Sequence, residues 1–193
     1  MAWYKTAKIE QEMLDFFKKR TNLHINLVRK YCNKIADYDK GKFGELIERG
    51  KIHDESKLED PEKEPYIYIT WQYKCKDENK EFDIPKEMKD KMSKATEHHI
   101  KDKRNSHHPE ASCNNEVKLE NREDRNKSSK EIVDATKMTD LDIAEMCADW
   151  MGMSEEKNSN PKDWANKNVG VRWKFTNDQK DLIYELIDAV WEE

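Results

Sequence analysis

Glycine and proline are scarce, five of each in 193 residues. So few turn formers leave little room for a many-stranded fold and favour an α-helical domain. Cysteine occurs only at Cys32, Cys75, Cys113 and Cys147, with no Cys-x-x-Cys pair. The four read as reduced thiols of a cytosolic protein, with Cys32 and Cys147 in helix cores. No apolar run is long enough for a signal peptide or a membrane span, so a cytoplasmic location is expected and no membrane partner. A basic excess is missing too: 36 Lys and Arg against 41 Asp and Glu give a net charge of −5. That balance argues against a surface that coats duplex nucleic acid. It leaves open small phosphorylated ligands, whose charge a metal can meet locally.

Charged residues make up 40% of the chain and hydrophobic ones 35%, so the apolar side chains must be concentrated on helix faces. The length suits one all-α domain over residues 1–193 with a core of its own. Residues 5–20 read as an amphipathic helix through Ile9, Met13, Phe16 and Phe17. Thr21 or Asn22 then caps a second helix, in which His24, Leu27, Val28, Tyr31 and Ile35 share one stripe. Gly41 and Gly44 loosen the next connection. Phe43, Leu46 and Ile47 start another helical stripe, which Gly50 interrupts before Ile52-His53-Asp54. The tract Glu59–Pro65 reads as an acidic loop. Tyr66–Tyr73 is ambiguous between strand and helix; no partner strand is evident, and helix is the reading taken. Pro85 opens a helix to about His99, with Met88, Met92, Ala95 and His99 on its apolar side. Asn105–Glu110 breaks it, and residues 112–130 are a polar loop, either a lid edge or a plain connection. Thr139 caps a helix from about Asp140 to Met153. A polar loop at Glu155–Asn160 follows, then Trp164 and Trp173 as packing residues, then a helix over Asn177–Glu192.

Histidine is also rare, and its six positions carry the chemistry. His24 lies on a buried stripe, His53 adjoins Asp54, and His98, His99, His107 and His108 fall within eleven residues. Asp142, Glu145 and Asp149 then share one face of an otherwise apolar helix. Neighbouring imidazole and carboxylate donors suit Zn, Mn, Fe, Co or Ni, and Mg more weakly. Asp149 is the candidate ligand on that face, and Glu145 a candidate to orient a histidine. His99 follows its helix's apolar stripe better than His98. Pro109 keeps His108 out of helical backbone, so His107 and His108 can point different ways, one to metal and one to substrate. Lys57 stands three residues after Asp54, within reach of a phosphate beside the metal; a solvated lysine is the plain alternative.

The order His24, His53-Asp54, histidine cluster, Asp149 resembles the HD superfamily of metal-dependent phosphohydrolases. The segments His53-Asp54-Glu55-Ser56-Lys57, Asn105-Ser106-His107-His108-Pro109-Glu110 and Glu145-Met146-Cys147-Ala148-Asp149-Trp150 are similar to an uncharacterised group of small HD-like proteins frequent in phages and bacteria. The resemblance implies a helical bundle around a buried metal held by His24, His53, Asp54 and Asp149. It implies hydrolysis of a phosphate ester, of a nucleotide or other small phosphorylated metabolite, in the host cytoplasm if the chain is viral. Lys57 and one of His107 or His108 would neutralise charge on the phosphate. A second ion, bridged by Asp54, would draw on His99 and His107. Two alternatives share this pocket. Some HD-fold proteins are di-iron oxygenases with a Lys three residues after the His-Asp pair, although Ser56 stands here where they carry Gly. A binding protein that sequesters a nucleotide would keep the site without turnover.

Overall fold

From Ala2 to Tyr38 the chain contains neither glycine nor proline, and nothing stops a helix once started. A computed structural model describes residues 2–112 and 132–192, with side chains from residue 10 onward. In it α1 runs unbroken over Ala2–Tyr38. The break expected at Thr21-Asn22 does not occur. Thr21 is buried within a stripe of Phe17, Thr21, His24, Val28, Tyr31 and Ile35, whose alternating steps of four and three keep one helix face inward. Asp39 ends the run and caps the short α2 (Lys40–Phe43) through Lys42 N at 3.0 Å.

Next come α3 (Leu46–Ile52), a 3-10 turn at Glu55–Leu58, α4 (Lys63–Asp77) and α5 (Lys86–Lys101). Two 3-10 turns at Lys103–Asn105 and Pro109–Ser112 follow, then α6 (Asp140–Lys157), α7 (Pro161–Asn168) and α8 (Asn177–Val190). Two-residue strands β1 (Val133–Asp134) and β2 (Trp173–Lys174) pair in parallel. The protein is thus an all-α domain, and Tyr66–Tyr73 is helical, inside α4.

Several boundaries differ from expectation. Gly50 does not interrupt α3; it lies inside, where a Cβ would stand 3.0 Å from Cys32 Cβ, so its absence lets α3 close on α1. The loop expected at Glu59–Pro65 is already α4 from Lys63. α6 runs past Met153 to Lys157 and ends on Asn158 in left-handed backbone. Asn160 caps α7, with Pro161 at its first position, inside what read as loop and packing residues. Trp173 is buried, but Trp164 is largely exposed. The polar loop at 112–130 lies outside the described residues except for Ser112, and Cys113 lies outside them too. Cys32, Cys75 and Cys147 are free thiols and buried. No helix among the described residues is long and apolar enough to cross a membrane.

Two apolar clusters form the core. The larger joins the C-terminal half of α1 with α6 and α8 through Val28, Ile35, Met146, Met151, Ile183 and Leu186. The smaller joins Phe17 of α1 with Tyr66, Ile69, Met88 and Met92 of α4 and α5. His24 sits on α1 between Phe17 and Val28, at the seam of the two.

Candidate metal centre

The site is assembled from five segments. α1 supplies His24. Chain reversal at the end of α3 supplies two more donors: His53 is the C-cap, and Asp54 follows at φ 60°, ψ 9°, the left-handed region. Aspartate tolerates that conformation better than most residues. The reversal turns both neighbouring side chains inward, leaving His53 and Asp54 0% and 1% exposed. α5 presents His99, and the link between two 3-10 turns presents His107 and His108. α6 brings Asp149, because Gly152 lets it approach α1: a Cβ there would meet Val28 Cγ2 at 3.1 Å and Val28 N at 3.2 Å.

His24 Nε2 is 3.1 Å from Asp149 Oδ1 and 3.4 Å from Asp54 Oδ2. His53 Nε2 is 3.8 Å from Asp54 Oδ2 and 3.9 Å from Asp149 Oδ1. Metal–ligand bonds of about 2.1 Å keep two ligand atoms of one ion within about 4.2 Å of each other. All four separations obey that limit. Asp54's other oxygen, Oδ1, lies 3.1 Å from His99 Nε2. Among the described residues, His53 Nε2, His99 Nε2, Asp54 Oδ1 and both ring nitrogens of His107 have no hydrogen-bond partner. His99 Nε2 and Asp54 Oδ1 are therefore close but not aligned on each other. Buried polar atoms are rarely left so, and atoms that converge without bonding are arranged as ligands are around a cation. Buried His, Asp and Glu side chains here can hold a metal: His24, His53 and Asp149 form one group and His53, Asp54 and His107 another, each within 4.8 Å. His108 packs its ring against those of His99 and His107, at 4.9 and 4.2 Å between centroids.

The charges agree with this reading. Burial opposes a charged His24, yet Asp149 and Asp54 outweigh it and push the ring up to about 9. Burial likewise opposes ionisation of Asp54, but Lys57, His53, His24 and His99 hold its carboxyl well below the usual range. His24 and the neighbouring rings do the same for Asp149 against its burial. Lys57 lies in the 3-10 turn, not on a continuing helix, and its ammonium contacts Asp54 Oδ2.

Two buried carboxylates stand behind the histidines. Glu145 Oε1 accepts from His53 Nδ1 at 2.9 Å, and His107 Nδ1 lies 3.3 Å from the same oxygen. Glu62 Oε2 faces His99 Nδ1 at 2.9 Å and accepts from Ser56 Oγ at 2.9 Å, while its Oε1 faces His98 Nδ1 at 2.7 Å. His99 is the inward member of the His98-His99 pair; His98's side chain is 46% exposed. Asp142 faces away from the donors, bonded to Arg49 and Ser106. Among the described residues, the donors differ in their exposure to solvent. The side chains of Asp149 and Lys57 are each 20% exposed and that of His24 11%, against 0% for His53 and 1% for His99 and His107.

Sequence reasoning missed Glu62 and Arg49 and gave no role at the centre to Ser56, Asn105 and Ser106, of which Asn105 donates to Ser56 Oγ and to the His99 carbonyl. Glu62 sat in a tract that read as an acidic loop, and one carboxylate there is indistinguishable from its neighbours. Arg49 offered a usable signal, four residues before His53 and so on the same helix face. Neither the curated proteins nor the solved structures offer a match to the chain. A family described as being of unknown function, DUF5662, matches residues 13–189. The chain, metal-ligand candidates included, belongs to the DUF5662 family.

Proposed function

We propose that the protein is a metal-dependent phosphohydrolase of the HD type, acting on a nucleotide or other small phosphorylated metabolite. The observation that carries the reading is the meeting of His24, His53, Asp54 and Asp149 at ligand separations, with His53 and Asp54 buried and His24 and Asp149 at the solvent edge. When bound, a divalent ion (Mn, Fe, Zn, Co or Ni) supplies Lewis acidity, lowering the pKa of a water and polarising a phosphoryl oxygen. The chain's own residues do the rest. Lys57 spends one of its three donors on Asp54 and keeps the others for a phosphate at the rim. His107 or His108 would neutralise charge on the phosphate, and the buried wall of His53, His99 and Glu145 would limit access of water. Asp54 directs Oδ2 toward His24 and His53 and Oδ1 toward His99, so that were two ions bound, Asp54 would serve both and the second would draw on His99 and His107.

The same placement of the two Asp54 oxygens favours a second reading, a di-iron oxygenase. Protein purified without oxygen and analysed for metal content separates the two. The phosphohydrolase releases phosphate from members of a nucleotide panel under strict anaerobiosis, since its nucleophile is water. Oxygen uptake coupled to product, with no phosphate released, replaces it with the oxygenase. Tight nucleotide binding with neither reaction replaces both with a sequestering protein.

A further inference from the structure

Arg49 makes three hydrogen bonds that meet at the back of the candidate centre. Its Nε donates to Glu145 Oε2 at 2.6 Å, and one terminal nitrogen donates to Asp142 Oδ1 at 2.7 Å and Ser106 Oγ at 2.8 Å. Ser106 Oγ closes the ring by donating to Asp142 Oδ1 at 2.6 Å. One guanidinium thus ties together the helix that ends in His53, the helix that carries Asp149, and the residue before His107. Glu145 is 0% exposed, and a buried carboxylate without a counter-charge is strongly disfavoured. An ionised carboxylate has acceptors only, so any ring nitrogen bonded to it must donate. Its partner is His53 Nδ1, which donates when Glu145 is ionised, and His53 Nε2 then lies 3.8 Å from Asp54 Oδ2 and 3.9 Å from Asp149 Oδ1.

We infer that Arg49 is a positioning residue of this centre: by bonding Glu145 Oε2 it fixes the carboxylate whose Oε1 meets His53 Nδ1, and so holds the His53 ring with Nδ1 on Glu145 and Nε2 presented to the centre. The planar fork is needed because two carboxylates and a hydroxyl must be met at fixed angles, which a lysine ammonium does not do. The metal arm of the test rests on the metal-centre reading; the tautomer arm does not.

Long-range proton–nitrogen spectra of the histidine rings, recorded on metal-free full-length protein, give the tautomer of His53. Metal titration of the same samples gives affinity. Wild type shows Nδ1–H on His53. Arg49→Met mixes the tautomers and weakens metal binding about 10- to 100-fold, with helix content by circular dichroism unchanged. Arg49→Lys recovers part of both, because it reaches one carboxylate. In a Glu145→Gln background the amide keeps an acceptor but no charge, so Arg49→Met causes little further loss of affinity. If Arg49→Met does not fold, Arg49→Lys and Glu145→Gln carry the same comparison. An unchanged His53 tautomer, or losses that simply add in the double variant, overturns the inference. Wild type that binds no metal while its tautomer still depends on Arg49 overturns the proposed function and leaves the positioning role standing.

Discussion

Asp54 combines two demands in one residue. Its backbone takes the left-handed turn that ends α3, and its carboxylate faces His24, His53 and His99. Removing the carboxylate or the adjacent imidazole takes away ligands without touching either apolar cluster. His53→Ala or Asp54→Ala is therefore expected to abolish metal binding in a protein that stays helical. Elemental analysis beside circular dichroism checks this, and wild-type metal content in either variant would falsify the centre. The number of ions is a question at the same scale. If Asp54 bridges, His99→Ala and His107→Ala each take the metal content from two ions to one under saturating metal. A single ion in wild type, unchanged in both variants, returns these histidines to substrate binding.

At the scale of elements, the centre depends on how closely helices approach. His24 and Asp149 come within 3.1 Å because α6 crosses α1 at Gly152, packed on the side chain and backbone of Val28. A methyl there would stand 3.1 Å from Val28 Cγ2 and 3.2 Å from Val28 N, so that α1 and α6 must part by a few tenths of an ångström. Gly152→Ala is expected to cost about 1–3 kcal/mol, lowering Tm by about 2–4 °C per kcal/mol, and to weaken metal binding by parting the two ligands. Thr176→Ala serves as the control. It removes the capping box of α8, in which Thr176 and Gln179 satisfy each other's backbone, at a cost of about 1 kcal/mol. Metal titration of the two variants distinguishes them: the cap variant loses stability and keeps its affinity. Equal affinity in both would show that the spacing of α1 and α6 does not govern the site.

At the scale of the whole molecule, the Arg49–Asp142–Ser106 network joins α3, α6 and the histidine link, and it sets part of the response to acid. Burial pushes the Asp142 carboxyl up, but hydrogen bonds from Ser106, Thr139 and Arg49 hold it below its ordinary 3.8. A carboxyl depressed on folding stabilises the protein fully above its unfolded value, and that contribution disappears as pH falls through the lower folded value. Asp142→Asn is thus expected to lose about 2 kcal/mol at pH 7, with the gap to wild type narrowing below about pH 4. Thermal melts at pH 7 and pH 3 measure it; a gap of the same size at both would show that the charge of Asp142 is not what holds the network.

Much of this was legible in the chain itself. Scarce glycine and proline with apolar residues at helical spacing determined an all-α domain, because local periodicity records which face of a helix is buried. The same periodicity put His24 and His99 on inward stripes and marked Glu145 and Asp149 as carboxylates on an apolar helix. Thr139 was readable as a cap because capping involves only residues three apart. Whether a helix continues or stops was not so legible: Thr21 caps in isolation, yet here it packs, since the apolar stripe on either side favours one long helix. Glu62 and Arg49 were hidden for a related reason. A charged residue looks the same in a loop, on a surface and in a buried pair, and only the tertiary structure brings Glu62 to His99 or Arg49 to Glu145. Local sequence determined the helices and the inward donors; contacts between residues 37 and 96 positions apart decided which groups hold those donors in place.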